Sequence, residues 1–535
     1  MDLIAATPEL AHERGRALYV THCAMCHQEN GLGVPGVFPP LVRSDSLARD
    51  PHIAIRAIVA GLKGKIVVNG QTYDGQMPAM PLDDVEVADT VTFLLNSWDN
   101  RGGRVTVDEV RAVRATTALK TFAALQAASD FGPLPLAPEL FAVTELLRLP
   151  DFATRMTGDA KGRFLYVLGR EGGVWRLELA TRRLRLVIAP NDYYGKKTPG
   201  FSTLGITIDS QNRLWITANA RRSDLVPNAN EVTIFRTSAF DSEDAPIAPK
   251  PWFRTEYPFG VGPYNHGISA IRFGPDGLLY VSSGSRTDAG EPGNDPRLGR
   301  MGEVDLTACV WRLNPNAERP VVEVIARGIR NAYGLAWDGD GELFSVSNGP
   351  DAHAPEEMDH LRPPRPGEAP AHHGFPFQFG DSPAGHAWYP HQPAAPAGLK
   401  FVLPVLNLGP AGTLNGTPLA TFTPHSCPTG IVWLDESWPE TVRRSFLIGR
   451  FGNFIDGADG ADSGYDVLSV RLARTPEGGW TARTTSFLTG LGRPIDLHLG
   501  ADGSFYILEY TRTNDRKRAM LPGRILKVSL KTAVP

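Results

Sequence analysis

At 535 residues the chain is long enough for more than one domain. It is 42% hydrophobic and 21% charged, and 54 basic against 58 acidic residues leave a net charge of −4, which excludes the basic footprint of a nucleic-acid binder and a polybasic membrane patch. No apolar run approaches the roughly 20 residues of a membrane helix, while 55 glycines and 45 prolines suit many short strands joined by turns.

Taken in chain order, Glu9 to His22 has the spacing of a helix that buries Leu10, Ala17, Leu18 and Val20. Cys23-Ala24-Met25-Cys26-His27 follows at once. Two thiols three positions apart and then a histidine read as a c-type haem attachment site. Each sulfur adds across one vinyl group of the porphyrin, and the adjacent imidazole reaches the iron as the proximal ligand. The competing readings are a redox dithiol or half a zinc site. A zinc site wants a second ligand pair at matching spacing, and the other cysteines, Cys309 and Cys427, stand alone. They read as buried and inert, although an oxidising compartment would allow a disulfide.

A polar, glycine-rich loop ends in Val37-Phe38-Pro39-Pro40-Leu41. Pro51 to Gly61 reads as a short helix, Asn69 to Pro81 carries Gly75-Gln76-Met77-Pro78, and Asp83 to Trp98 is an amphipathic helix with Val87, Val91, Leu94 and Leu95 on one face. With Gly15-Arg16-Ala17-Leu18-Tyr19 and Asn96-Ser97-Trp98, this run resembles the class I cytochrome c domains, including those that serve quinoprotein dehydrogenases. The resemblance implies a methionine as sixth iron ligand: Met77, with Met80 as the second choice. A thioether opposite histidine raises the potential and suits electron transfer. A carbonyl in the Pro35 to Pro40 loop is expected to fix the His27 ring through its other nitrogen. The chain opens Met1-Asp2-Leu3-Ile4 without a basic start and apolar run. Because haem is usually attached outside the cytoplasm, the expectation is a periplasmic protein whose export signal has been removed, with a misplaced start as the alternative.

Residues 99 to 135 read as a transition, helical from Arg104 to Ala115 and extended around Asp130-Phe131-Gly132-Pro133. The expected domains are 1–115, an all-α cytochrome c domain, and 136–535, an all-β propeller, with 116–135 as linker. Beyond the linker the period changes to two, and a unit repeats: an Asp-, Gly- or Asn-rich turn, a short apolar strand, then a second strand. The turn and first strand of each unit read Gly162–Val167, Asn212–Ile216, Asp276–Val281, Gly341–Val346, Arg444–Ile448 and Asp502–Ile507. Six such units predict a six-bladed β-propeller, with loop insertions between the fourth and fifth.

The connecting loops hold Asn265-His266-Gly267, Ala326 to Leu335 with Arg330-Asn331, Gly349-Pro350, Glu356-Glu357-Met358-Asp359, His373-Gly374-Phe375-Pro376 and Gly492-Arg493-Pro494-Ile495-Asp496. Their order and placement resemble the soluble quinoprotein glucose/sorbosone dehydrogenases, six-bladed propellers using pyrroloquinoline quinone (PQQ) and calcium. That resemblance implies Arg330 and Asn331 as the cofactor-contacting pair, Arg330 taking part in catalysis, and Arg493 as an arginine near the quinone. It further implies the carbonyls of Gly349 and Pro350 as calcium ligands, His266 as general base, and a second, structural calcium with Glu357 as a candidate ligand. Asp359 and Glu356 otherwise read as solvated charges. Three departures stand out: Phe201-Ser202-Thr203 where the family has a glutamine, Arg-Pro-Ile-Asp where some members have a second arginine, and Arg450 in place of a lysine near the cofactor.

Together these imply a quinohaemoprotein that oxidises a sugar or related alcohol or aldehyde with PQQ, and passes electrons through haem c to an external cytochrome or azurin-like acceptor. Two alternatives stay open. One is a second tetrapyrrole, as in nitrite reductases with an eight-bladed propeller; the other is a propeller without PQQ that acts as a binding module.

Overall fold

The computed structural model describes residues 8–77, 80, 82–114, 134–194, 200–239, 248–260, 265–291, 302–383, 385–453, 464–512 and 521–531. The chain divides into two compact units, Met1–Ser129 and Asp130–Pro535. Most of the expected linker, 116–133, lies outside the described residues.

The first unit is helical: α1 (Pro8–His22), α2 (Ala24–His27), α3 (Asp45–Arg49), α4 (His52–Ala60) and α5 (Asp84–Leu95), with residues 107–114 also helical. A capping box starts α5. The Asp83 carboxylate accepts from Val85 N and Glu86 N, and Glu86 Oε2 accepts from Asp83 N. Val87, Val91, Leu94 and Leu95 are buried, as the helical period predicts. Gly15 lets α1 and α5 meet, since a Cβ there would fall 2.1 Å from the Asp89 carbonyl oxygen. Beside that crossing, Tyr19, Phe93 and Trp98 pack with ring centroids 5.0–5.5 Å apart. Gly15→Val is therefore expected to push the two helices apart. Circular dichroism and haem content should both fall, whereas retention of full haem loading would refute this account of the crossing.

Between α4 and α5 stands a feature that the sequence reading did not anticipate, an antiparallel hairpin of β1 (Leu62–Val68) and β2 (Gln71–Met77). Its pattern is hard to read because Gly64 pairs directly with Gly75, and glycine contributes no side chain to a period-two signal.

The second unit is a propeller of six sheets, as the repeat predicts, not the eight of the nitrite-reductase alternative. Blade one is Ala153–Gly158, Phe164–Gly169, Val174–Glu178 and Leu184–Ile188; blade two is Ser202–Ile208, Leu214–Arg222, Ala229–Thr237 and Pro249–Pro258. Blade three is Ile268–Phe273, Leu279–Ser283, Cys309–Leu313 and Glu323–Arg327, with Ala371–His372 added in parallel. Blade four is Ala332–Trp337, Leu343–Ser347 and Glu357–Leu361. Blade five is Pro428–Leu434, Ser445–Arg450, Asp466–Arg474 and Trp480–Thr489, with Leu406–Pro410 in parallel. Blade six is Pro494–Leu499, Phe505–Glu509 and Arg524–Leu530, completed by β3 (Phe141–Arg148) in the register Arg524↔Arg148 to Leu530↔Phe141. The start and end of the propeller chain thus share one sheet, and its ladder hydrogen bonds close the ring of blades.

The repeated turn has one chemical cause. In every blade an aspartate between the first and second strands accepts backbone N–H groups a few residues on: Asp159 from Arg163 and Phe164, Asp209 from Gln211 and Arg213, Asp276 from Leu278, Asp338 from Asp340 and Glu342, Asp435 from Ser437, and Asp502 from Ser504. The innermost strands contact one another in a closed ring. His266, Asn331 and Arg493 each stand just before an innermost strand, and Asp288, Gly349 and Arg450 end or follow a second strand. In antiparallel neighbours these positions share one end of the propeller.

Candidate functional sites

In the first unit Cys23 caps α2, so Cys23, Cys26 and His27 occupy a single helical turn. A cavity of about 340 Å³ is lined by both cysteines and His27, by Val37 to Pro39, and by Leu62, Gly64, Ile66, Tyr73, Gly75 and Met77 of the hairpin, together with Met80. His27 Nδ1 lies 2.9 Å from the Pro39 carbonyl oxygen. That acceptor lies in the loop expected to supply it, and it leaves Nε2 as the nitrogen that could ligate an iron. Burial holds the His27 imidazole below its ordinary value, opposed by the Pro39 bond, so the ring favours the neutral form that metal ligation needs. Burial and the neighbouring Cys26 push the Cys23 thiol up to about 11. Met77 and Met80 both reach the cavity, and Met80 N is anchored to the Ile58 carbonyl oxygen at 2.8 Å. The cavity fits a flat macrocycle. The opposed pair Gly64 and Gly75 leaves the hairpin face bare, and a Cβ at Gly64 would meet nothing within 4 Å.

In the propeller, Arg330 is the hub of a buried cluster. Its Nη2 donates to Asp288 Oδ1 (2.5 Å), its Nε to the Asp288 carbonyl (3.0 Å), and its Nη1 to the Asn348 carbonyl (3.0 Å). Asp288 also accepts from Tyr389 OH (2.6 Å) and Asp351 N. Neither Asp288 nor Tyr389 belongs to a recognisable motif, and no local signal marks them. His266 and Asn331 come together because Gly284 lacks a side chain: a Cβ there would lie 2.5 Å from His266 Cβ and 3.3 Å from Asn331 Oδ1. Gly349 N donates to Glu356 Oε2 (2.6 Å), which fixes the Gly349–Pro350 turn. Beside it, Asn348 Oδ1 is buried with no hydrogen-bond partner among the described residues.

Two expected solvated charges are not solvated. Glu356 is 2% exposed and Asp359 0%. Their partners come from distant loops, so their burial could not be read locally. Burial raises the Glu356 carboxyl to about 7, against Gly349 N–H and the Arg330 charge. Glu357 accepts from Gly380 N (2.6 Å), and burial with neighbouring Asp359 drives its carboxyl well up. Asp359 Oδ1 faces His373 Nδ1 at 3.3 Å. Among the described residues no three His, Cys, Asp or Glu side chains are grouped to hold a metal ion, so a cation at Gly349 and Pro350 would rest on carbonyl oxygens.

Arg493 donates to the carbonyls of Gly452 and Asn453, with its guanidinium over the rings of Phe451 and Tyr465. Arg450 forks onto Asp466 and reaches Thr423 Oγ1. In the altered early loop, Thr203 Oγ1 donates to the Gly169 carbonyl (2.7 Å), a blade-to-blade tie. In the altered sixth blade Ile495 is buried, and Asp496 accepts from Arg155 Nη1 and Met156 N.

Burial and the Arg330 charge lower His266 from 6.5 to about 3. The unfolded chain therefore takes up a proton near pH 6.5 that the folded chain refuses until about pH 3. Stability contributed here is full above pH 6.5 and falls as the pH drops through that window. Denaturation midpoints should show His266→Gln relieving about 2 kcal/mol of the loss between pH 6.5 and pH 5. Equal acid sensitivity of both proteins would contradict the burial argument.

Comparison with known proteins agrees with this division. Residues 12–98 match the Cytochrome c family model and residues 205–397 the Glucose / Sorbosone dehydrogenase model. Cytochrome c-552 of Thermus thermophilus is 35% identical over 116 residues, 20% of this chain and 78% of the relative. The chain belongs to the cytochrome c family. In it, that cytochrome domain is fused to a glucose/sorbosone dehydrogenase-like six-bladed propeller. The cytochrome c subunit of a quinone alcohol dehydrogenase from Gluconobacter oxydans is 32% identical over 109 residues, 19% of this chain but 22% of that subunit. For the propeller, a crystal structure of a glucose dehydrogenase superposes with TM-score 0.51 at 15% identity, covering 73% of this chain and 100% of that one. The apo soluble aldose sugar dehydrogenase of Escherichia coli gives 0.50 at 15% identity, covering 73% and 100%. At such identity these two speak for the fold alone. Among the described residues no helix is long and apolar enough to cross a membrane.

Proposed function

We propose that this chain is a periplasmic quinohaemoprotein dehydrogenase that oxidises a sugar, or a related alcohol or aldehyde, and delivers the electrons through its cytochrome domain to an external acceptor. The observation that carries this reading is the grouping of half-buried His266 with buried Asn331 and Arg330, and the tie from Arg330 to Asn348 beside the Gly349–Pro350 turn.

PQQ, a flat ortho-quinone with three carboxylates, supplies a two-electron hydride acceptor when bound. Such a group wants guanidinium donors for its carboxylates and a hard cation near its carbonyls. The residues fit that demand. Arg330 and Arg493 are buried cations, the Gly349 and Pro350 carbonyls are oxygen donors, and the orphaned Asn348 Oδ1 is a buried acceptor awaiting a partner. His266, neutral at physiological pH, would take the substrate hydroxyl proton at a ring nitrogen while the carbon gives up its hydride. The alcohol thus loses two electrons and two protons in becoming a carbonyl. His27 and one of Met77 or Met80 would hold the haem iron, Cys23 and Cys26 its periphery, and electrons would leave there one at a time. Fusion makes delivery to the haem intramolecular, which raises the effective concentration.

The test follows haem reduction in protein loaded with haem, PQQ and calcium, across a panel of aldoses and primary alcohols. Reduction by at least one substrate supports the reading. A haem that stays oxidised with every substrate, while quinone is demonstrably bound, would leave the propeller as a recognition module.

A further inference from the structure

The imidazole of His266 is held by a neutral partner whose hydrogen-bond directions can be worked out. Ser285 Oγ lies 2.7 Å from the Thr287 carbonyl oxygen. A carbonyl only accepts, so the single hydroxyl proton of Ser285 is committed there. Ser285 Oγ therefore offers lone pairs to His266 Nδ1 at 3.1 Å, and the Ser285 carbonyl oxygen, a second acceptor, faces the same nitrogen at 3.3 Å. Two acceptors around one ring nitrogen are satisfied only by an N–H. The serine is itself fixed: it is buried, its N–H donates to the Arg330 carbonyl (2.7 Å), and its carbonyl accepts from His266 N (3.0 Å). A neutral imidazole has one N–H, and the burial and Arg330 charge that oppose protonation keep the ring neutral.

We propose that Ser285 is a positioning residue that locks His266 as the Nδ1–H tautomer and leaves the Nε2 lone pair as the only proton acceptor on the ring. This deepens, and rests on, the reading of His266 as the base of the proposed dehydrogenase. Among the described residues no carboxylate bonds to the ring, so orientation is achieved with a hydroxyl and a carbonyl, and the imidazolium gains no anionic partner. The arrangement favours a base that accepts the substrate proton only as hydride departs. It also couples tautomer to cofactor pocket, because the Arg330 backbone that fastens Ser285 belongs to the residue whose guanidinium holds Asp288.

The experiment is ¹⁵N spectroscopy of the histidine-labelled, haem-loaded full chain in its reduced state, with the His266 signal assigned by its disappearance in His266→Gln. The expected result is a protonated Nδ1 and an unprotonated Nε2 at pH 7. In Ser285→Ala the signature should move to the other tautomer or to a mixture, and kcat should fall on the order of 100-fold with little change in KM. Ser285→Thr, which keeps the hydroxyl, should restore the signature. An Nε2–H tautomer in the unmodified chain overturns the proposal without any variant, even if Ser285→Ala fails to fold. An unchanged tautomer in a folded Ser285→Ala overturns it as well. If the chain has no dehydrogenase activity but shows the Nδ1–H signature, the functional reading fails and the tautomer lock stands.

Discussion

Arg330→Ala is expected to abolish calcium-dependent binding of PQQ and to destabilise the propeller by about 3–5 kcal/mol. Both effects follow from one side chain. The guanidinium is buried and donates three hydrogen bonds, to the Asp288 carboxylate, the Asp288 carbonyl and the Asn348 carbonyl. Without it, Asp288 keeps Tyr389 OH and Asp351 N as donors but loses its cation, and the loop that carries Gly349 and Pro350 loses its tether at Asn348. Arg330→Lys restores charge without the fork, so it should recover part of the stability and little of the binding. Binding by titration and stability by denaturant midpoint separate the two effects. Full quinone affinity in a folded Arg330→Ala would remove Arg330 from the cofactor site.

Replacing both cysteines, Cys23→Ser with Cys26→Ser, is expected to abolish covalent haem entirely. Either single variant keeps one thioether. The double variant leaves His27 with its Pro39 bond and the two methionines at the cavity, so some haem would bind, but acid–acetone extraction should remove all of it. Delivery of electrons to a protein acceptor should fall to background, while reduction of a small dye by the loaded propeller should persist. If haem resists extraction from the double variant, the attachment site lies elsewhere.

Much of the fold was legible because the propeller repeats a chemical device. Aspartates at hairpin turns accept nearby N–H groups in all six blades, and in three of them, at Asp276, Asp338 and Asp502, that device shows in the sequence as Asp-Gly punctuation. β3 was not legible, because its partner strand is nearly four hundred residues away and its alternation is interrupted by a register shift between Ile525 and Leu526. The Leu62–Val68 and Gln71–Met77 hairpin was hidden by its paired glycines. At the site, His266, Arg330 and Asn331 were recognisable as phrases, and the structure brings them together. Their supports were not recognisable: Asp288, Tyr389 and Ser285 act through geometry that only the folded loops create. Glu356 and Asp359 were misread because a charge in a loop is usually solvated, whereas here Gly349 N and His373 reach them from elsewhere.

The proposed dehydrogenase function requires that the propeller bind a quinone with calcium at the Arg330 cluster. The most direct measurement is titration of the haem-loaded full chain with PQQ, with and without calcium, beside Arg330→Ala. Tight binding that needs calcium and is lost in the variant is the expected result. Absence of binding under both conditions by a folded, haem-loaded protein would contradict it.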